Sequence, residues 1–112
     1  MARSAWLGDL LLAHSEDVVI VEGNAYFPAS AIQPGLLVPT STRSVCPWKG
    51  VAGYFSVTVD GVEHPDAAWT YRRPSPLARR VKGRVAFWGD VEVRTEPRPS
   101  DAAAGAAREP EG

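Results

Sequence analysis

Hydrophobic and polar positions along the chain alternate in short bursts of strand length. In the clearest burst, Val51, Phe55, Val57 and Val59 fall on one face and Tyr54, Ser56 and Thr58 on the other. A period of two is what a half-covered β-strand requires. Asp60-Gly61 follows and offers the positive φ angles of a two-residue hairpin turn, pairing Val59 with Val62 and Thr58 with Glu63. A second hairpin is predicted from Val85–Trp88 through Gly89-Asp90 into Val91–Arg94. There Ala86 and Trp88 share a face with Val91 and Val93, while Val85 and Phe87 occupy the other. Strand 85–88 is thus apolar on both sides, so a second sheet or a short helix must cover Val85 and Phe87.

A third strand pair is predicted from Leu10–Ala13 and Val18–Val21, joined around Ser15-Glu16-Asp17. Glu22-Gly23-Asn24 is a turn, Ala25-Tyr26-Phe27 is extended, and Ala29–Ile32 makes one helical turn after Pro28. One helix is predicted over 76–82, with Ser75 as N-cap, Pro76 at the first position and Gly83 past the end. Seven residues form a marginal helix without packing. The expected fold is mainly β: two antiparallel sheets packed or splayed at an angle, with one short helix. From Thr95 the composition turns to Pro, Ala, Gly, Glu and Ser, with no bulky apolar residue after Val93. Such a segment buries too little to offset its ordering entropy, and 95–112 is expected to be a disordered tail.

The bulk values suit one soluble globular domain: 112 residues, 45% hydrophobic, 22% charged, formal net charge -1. They exclude a fully disordered chain, a collagen and a disulfide scaffold. No apolar run approaches the roughly 18–20 residues that span a bilayer, and no secretory signal is visible. Neither a membrane nor a general nucleic-acid partner is expected. Cys46 is the only cysteine, which excludes an internal disulfide and suits a reducing cytoplasm, the expected location. One cysteine with His14 and His64 at wide spacing makes no four-ligand zinc site. Neither metal nor other cofactor is expected. The expected state is a monomer or homodimer. Charge is uneven: residues 72–89 hold Arg72, Arg73, Arg79, Arg80, Lys82 and Arg84 with no acid. This patch is either a solvated face or a contact for an anion.

Phosphate loops, Gly-x-Ser-x-Gly, His-Glu-x-x-His and calcium loops are all absent. Two clusters hold the candidate chemistry. Cys46-Pro47-Trp48-Lys49-Gly50 is a compact turn bearing a thiol, an indole and an ammonium. Lys49 either favours a Cys46 thiolate, holds an anion, or pairs with an acid, and Cys46 is otherwise a small buried hydrophobe. In Asp66-Ala67-Ala68-Trp69-Thr70-Tyr71, Trp69 and Tyr71 alternate onto one face, where Tyr26, Phe27, Trp48, Tyr54 and Phe55 are candidates to meet them. Rings with polar tips suit a pocket wall, although a small β-protein also uses them as core. Asp66 either caps a turn or is the acid partner of Lys49.

Three readings follow. The first is a module binding a small apolar or amphipathic molecule through Tyr26, Cys46, Trp48, Lys49, Tyr54, Asp66, Trp69 and Tyr71. The second is a small enzyme using Lys49, Asp66 or Cys46, with Tyr54 or Tyr71 as proton donor. The third is a protein-interaction domain acting through the basic patch 72–84.

At these residues the chain resembles the bacterial DUF427 family, a domain of unknown function, over about residues 6–94. The resemblance rests on Val19, Glu22-Gly23-Asn24, Tyr26-Phe27-Pro28, Cys46-Pro47-Trp48-Lys49-Gly50, Ala52, Tyr54, Pro65-Asp66-Ala67-Ala68-Trp69 and Lys82-Gly83-Arg84-Val85-Ala86-Phe87-Trp88. It implies a β-tent arrangement, with two antiparallel sheets meeting around a hydrophobic tunnel flanked by the Cys-Pro-Trp-Lys-Gly turn and the Asp-Ala-Ala-Trp strand. Some family labels mention nucleotidyltransferase activity. No paired carboxylates beside a Gly-Ser motif stand here to hold magnesium.

Overall fold

The computed structural model describes residues 2–96. The described residues form a mainly β, antiparallel domain in three sheets. β1 (Ala2–Leu7) lies between β2 (Leu10–Ser15) and β9 (Glu92–Glu96). β3 (Val19–Val21) and β4 (Asn24–Tyr26) form a two-stranded ribbon. β5 (Leu37–Cys46), β6 (Gly50–Val59), β7 (Val62–Thr70) and β8 (Val85–Phe87) form a four-stranded sheet in that order. Of the predicted tail 95–112, Thr95 and Glu96 belong to β9 and pair with β1, and the remainder lies outside the described residues.

The hairpin at Asp60-Gly61 forms in the expected register, with Val59 opposite Val62 and Thr58 opposite Glu63. Asp60 and Gly61 take φ 51° and 79°, the left-handed pair that matches strand twist. The hairpin predicted through Gly89-Asp90 does not form. Val85 pairs with Thr70 on one side and exchanges both backbone hydrogen bonds with Phe27 on the other, at 2.8 and 2.9 Å. With both edges of β8 engaged there, β9 instead pairs with β1 from Ala2↔Glu96 to Trp6↔Glu92. Phe27 is also the cover that Val85 and Phe87 need: its ring meets Phe87 edge-on at 5.8 Å. Such a pair contributes about 0.5–1.5 kcal/mol beyond the area it buries.

The predicted pairing of Leu10–Ala13 with Val18–Val21 is likewise replaced. β2 pairs with β1, and β3 turns directly into β4 at Glu22-Gly23. Tight local turns win because they close the smallest loops. β1 and β5 lie where the pattern predicts no strand, since their sequences are short of bulky alternating apolar residues.

The predicted helix is a 3-10 segment, Pro76–Val81, kinked at Ala78. Ser75 stands at the N-cap position and its carbonyl accepts the Ala78 N–H, but its side chain makes no cap bond. The Ser75 hydroxyl donates to the Trp48 carbonyl and its N–H to the Lys49 carbonyl, which ties this segment to the Cys46–Gly50 turn. Ala29–Ala31 is the expected single turn.

Successive residues of an extended chain point to opposite faces, and the core divides accordingly. Phe27, Val57, Val85 and Phe87 join one cluster with Leu12 and Ala68. Tyr26, Ala52, Tyr71 and Ala86 join a second with Ala78 and Val81, ringed by Cys46, Tyr54 and Trp69. Phe27 and Phe55, expected to meet Trp69 and Tyr71, belong to the first cluster and lie apart from them.

Candidate functional site

The second cluster contains most of the sequence-predicted site. Lys49 is its chemical centre. At 5% relative exposure Lys49 is nearly buried, so its ammonium demands a partner. That partner is Glu22: Nζ donates to Oε1 at 2.5 Å, and the Trp48 indole N–H donates to the second oxygen at 3.2 Å. The ammonium also lies 5.4 Å from the Tyr71 ring centre and 5.7 Å from that of Trp48, close enough for cation–π attraction.

Local backbone chemistry builds this pair. Glu22 sits at φ 54°, a conformation disfavoured for a non-glycine residue, at the first position of the β3–β4 turn. Gly50, at φ 114°, lets the Lys49 turn approach the 73–75 segment. A Cβ there would meet the Arg73 carbonyl at 3.4 Å.

The electrostatics follow from the contacts. Burial works to lower the Lys49 pKa, but the hydrogen bond it donates to Glu22 and the neighbouring tyrosine oxygens outweigh it, so the ammonium is held well above its usual range. The hydrogen bonds from Lys49 and then Trp48 hold the Glu22 carboxyl below its ordinary value. Burial pushes the Tyr71 hydroxyl up despite the adjacent ammonium.

Trp69 organises the rings. Its face and edges meet Tyr26 at 6.2 Å, Tyr54 at 6.5 Å and Trp88 at 6.1 Å, and its indole N–H donates to the Tyr26 hydroxyl at 3.3 Å. The rings do not close on one another. A cleft of about 190 Å³ opens between Lys49, Tyr54, Trp69, Tyr71 and Trp88. Tyr26 is fully buried behind Trp69, the free thiol Cys46 is half-buried beside the same cluster, and Tyr54 exchanges a hydrogen bond with Ser44 at 2.9 Å.

Asp66 is not the partner of Lys49. Three residues, Pro65 to Ala67, oppose the single Ser56 of β6, and Asp66 takes φ 51° in this bulge. On the other side of β6, Thr40 to Thr42 oppose the single Tyr54. The two bulges are joined across the central strand: Thr40 and Thr42 each donate a hydroxyl to the Asp66 carboxylate at 2.7 Å. A proline inside an apparent strand is the sequence mark of such a bulge. Asp66 still touches the site indirectly, because its carbonyl accepts the Trp88 indole N–H at 2.5 Å.

Glu22 and Trp88 are the residues that sequence reasoning left out of the site. Both lie in motifs that carry the family resemblance, Glu22 in a Glu-Gly-Asn turn and Trp88 after the apolar strand β8. The basic patch is divided by use: Arg84 pairs with Asp17 at 3.1 Å and Arg80 donates to the Ile20 carbonyl at 3.2 Å. Among the described residues no three His, Cys, Asp or Glu side chains converge as a metal cluster. No helix there is long and apolar enough to cross a membrane.

No curated protein matches the chain. A family model described as a domain of unknown function, DUF427, matches residues 4–97. That span takes in all three sheets and both turns of the Lys49 cluster, and the chain belongs to the DUF427 family.

Proposed function

We propose that the domain binds a small apolar or amphipathic molecule in the cleft bounded by Lys49, Tyr54, Trp69, Tyr71 and Trp88. The observation that carries this reading is the open space itself. Four rings and an ammonium converge without filling it, although aromatic side chains that meet in a protein interior normally interdigitate. The volume of about 190 Å³ is below the ~300–1,000 Å³ of pockets that engulf a drug-sized ligand. The cleft therefore suits a single ring or the end of a longer molecule. Trp69 and Trp88 offer apolar faces, and the Tyr54 and Tyr71 hydroxyls offer polar tips for orientation.

The same contacts weigh against the enzymatic alternative at Lys49. An amine whose pKa is raised by a carboxylate partner is seldom neutral, whereas a general base or an amine nucleophile needs a lowered value. Asp66, held by two threonine hydroxyls, stands outside the cleft. The test is a thermal-shift screen of the intact chain against small aromatic alcohols, indoles and short fatty acids, repeated on Trp69→Phe and Trp88→Ala. Stabilisation by one chemical class that weakens in both variants supports the proposal. A flat screen, or stabilisation indifferent to both variants, overturns it.

A further inference from the structure

A second and larger cleft, about 490 Å³, is lined by Pro39, Thr40, Arg43, Val51, Gly53, Tyr54, Arg72 and Arg73. Three arginines and no acidic residue line it. Other arginines of the chain are engaged: Arg84 with Asp17, Arg94 with Glu92, Arg3 with Thr95 and Arg80 with Ile20. Neither Arg43, Arg72 nor Arg73 forms an ion pair with a carboxylate among the described residues. Asp66, the acid bonded to Thr40, has its two oxygens on Thr40 and Thr42.

The backbone that presents these arginines is fixed. Arg43 Nη1 donates to the Thr40 and Thr42 carbonyls at 2.9 and 2.7 Å, which holds the guanidinium over Gly53. A side chain on Gly53 would touch that guanidinium at 3.8 Å. Arg72 and Arg73 lie between Tyr71 and the segment docked on the Lys49 turn, through the bond from the Ser75 N–H to the Lys49 carbonyl. Cationic residues gathered around one cleft repel one another, and an oxyanion relieves that repulsion. A planar guanidinium matches the paired oxygens of phosphate.

We propose that this cleft binds a phosphate-bearing small molecule, with Arg43, Arg72 and Arg73 as its anion contacts. The site shares Tyr54 with the Trp69 cleft but does not rest on the ligand proposed there. Its volume falls within the usual range for a small-molecule pocket, so it accommodates an organic group beyond the phosphate.

Isothermal titration calorimetry on the intact chain at low ionic strength tests this, with inorganic phosphate, pyrophosphate, ribose 5-phosphate and citrate as probes. The expected result is binding of the phosphates, weakened about tenfold by each of Arg43→Ala, Arg72→Ala and Arg73→Ala and unchanged in Arg79→Ala. Ribose 5-phosphate tighter than phosphate identifies a phosphate ester as the occupant, and equal affinity identifies the free anion. Either supports the site. The exposed Arg72 and Arg73 variants decide the matter if Arg43→Ala fails to fold. Silence from every phosphate probe, binding of citrate alone, or an equal loss in Arg79→Ala overturns the assignment.

Discussion

Glu22 and Lys49, 27 positions apart in the chain, meet at 2.5 Å through a turn residue with left-handed backbone and a nearly buried ammonium. The contact fastens the small β3–β4 ribbon to the turn that opens β6. It also fixes the charge of the candidate cleft. One cation lies at its edge, neutralised by Glu22.

The pair gives stability a defined pH window. Glu22 has its pKa lowered in the folded state, so its contribution is present above the ordinary value of 4.5 and is lost as pH falls through the folded value. Lys49 and Tyr71 have theirs raised, so their contributions are present below 10.5 and 10.0 and are lost as pH rises. Thermal melts across pH should show a plateau between these limits. Glu22→Gln should lower the plateau and flatten its acid limb. An unchanged acid limb in that variant would mean the pair contributes nothing.

Trp69 touches three other rings, and its removal should be felt in stability as well as in binding. Trp69→Ala should cost about 2–4 kcal/mol in urea unfolding. Trp69→Phe should cost under about 1.5 kcal/mol and still weaken the ligand, because it loses the indole N–H to Tyr26.

Asp66 has a structural role that its sequence position conceals. Asp66→Ala should destabilise by about 1–3 kcal/mol, since two threonine hydroxyls lose their acceptor. Asp66→Asn should be milder, because Asn tolerates positive φ and retains an acceptor oxygen. Equal losses in chemical denaturation would argue against the linked bulges.

The two glycines on either side of Val51-Ala52 should respond oppositely to Ala. Gly50→Ala forces a side chain into a positive-φ position beside the Arg73 carbonyl and should cost more than about 1 kcal/mol. Gly53→Ala meets only a guanidinium at ordinary contact distance and should be neutral or stabilising by up to about 1 kcal/mol. Paired melts of the two variants check this.

What was legible in the sequence was local. The Asp60-Gly61 turn dictates its own register, and the double-sided apolar strand at Val85–Phe87 announces that a cover exists. Which element supplies the cover is a long-range matter. Phe27 takes the free edge of β8, and this displaces β9 into another sheet. The candidate site divides the same way. Trp69 and Tyr71 share a face by strand alternation, which could be read directly, whereas Tyr54 reaches Trp69 only through the bulged pairing of β6 with β7. The acid partner of Lys49 could not, because 13 acidic residues compete for it on paper and only the β3–β4 turn brings Glu22 within reach. Pro65 hinted at the bulge that turns Asp66 toward Thr40 and Thr42 instead.

The central claim is that the rings around Lys49 enclose usable space. The most direct measurement follows the indole N–H resonances of Trp69 and Trp88 by heteronuclear NMR as small aromatic and amphipathic compounds are added one at a time. At least one chemical class should shift both resonances, with saturation, while the Trp6 and Trp48 signals, which lie outside the cleft lining, move less. Failure of every class to move the Trp69 and Trp88 signals, or uniform shifts in all four, would contradict the account.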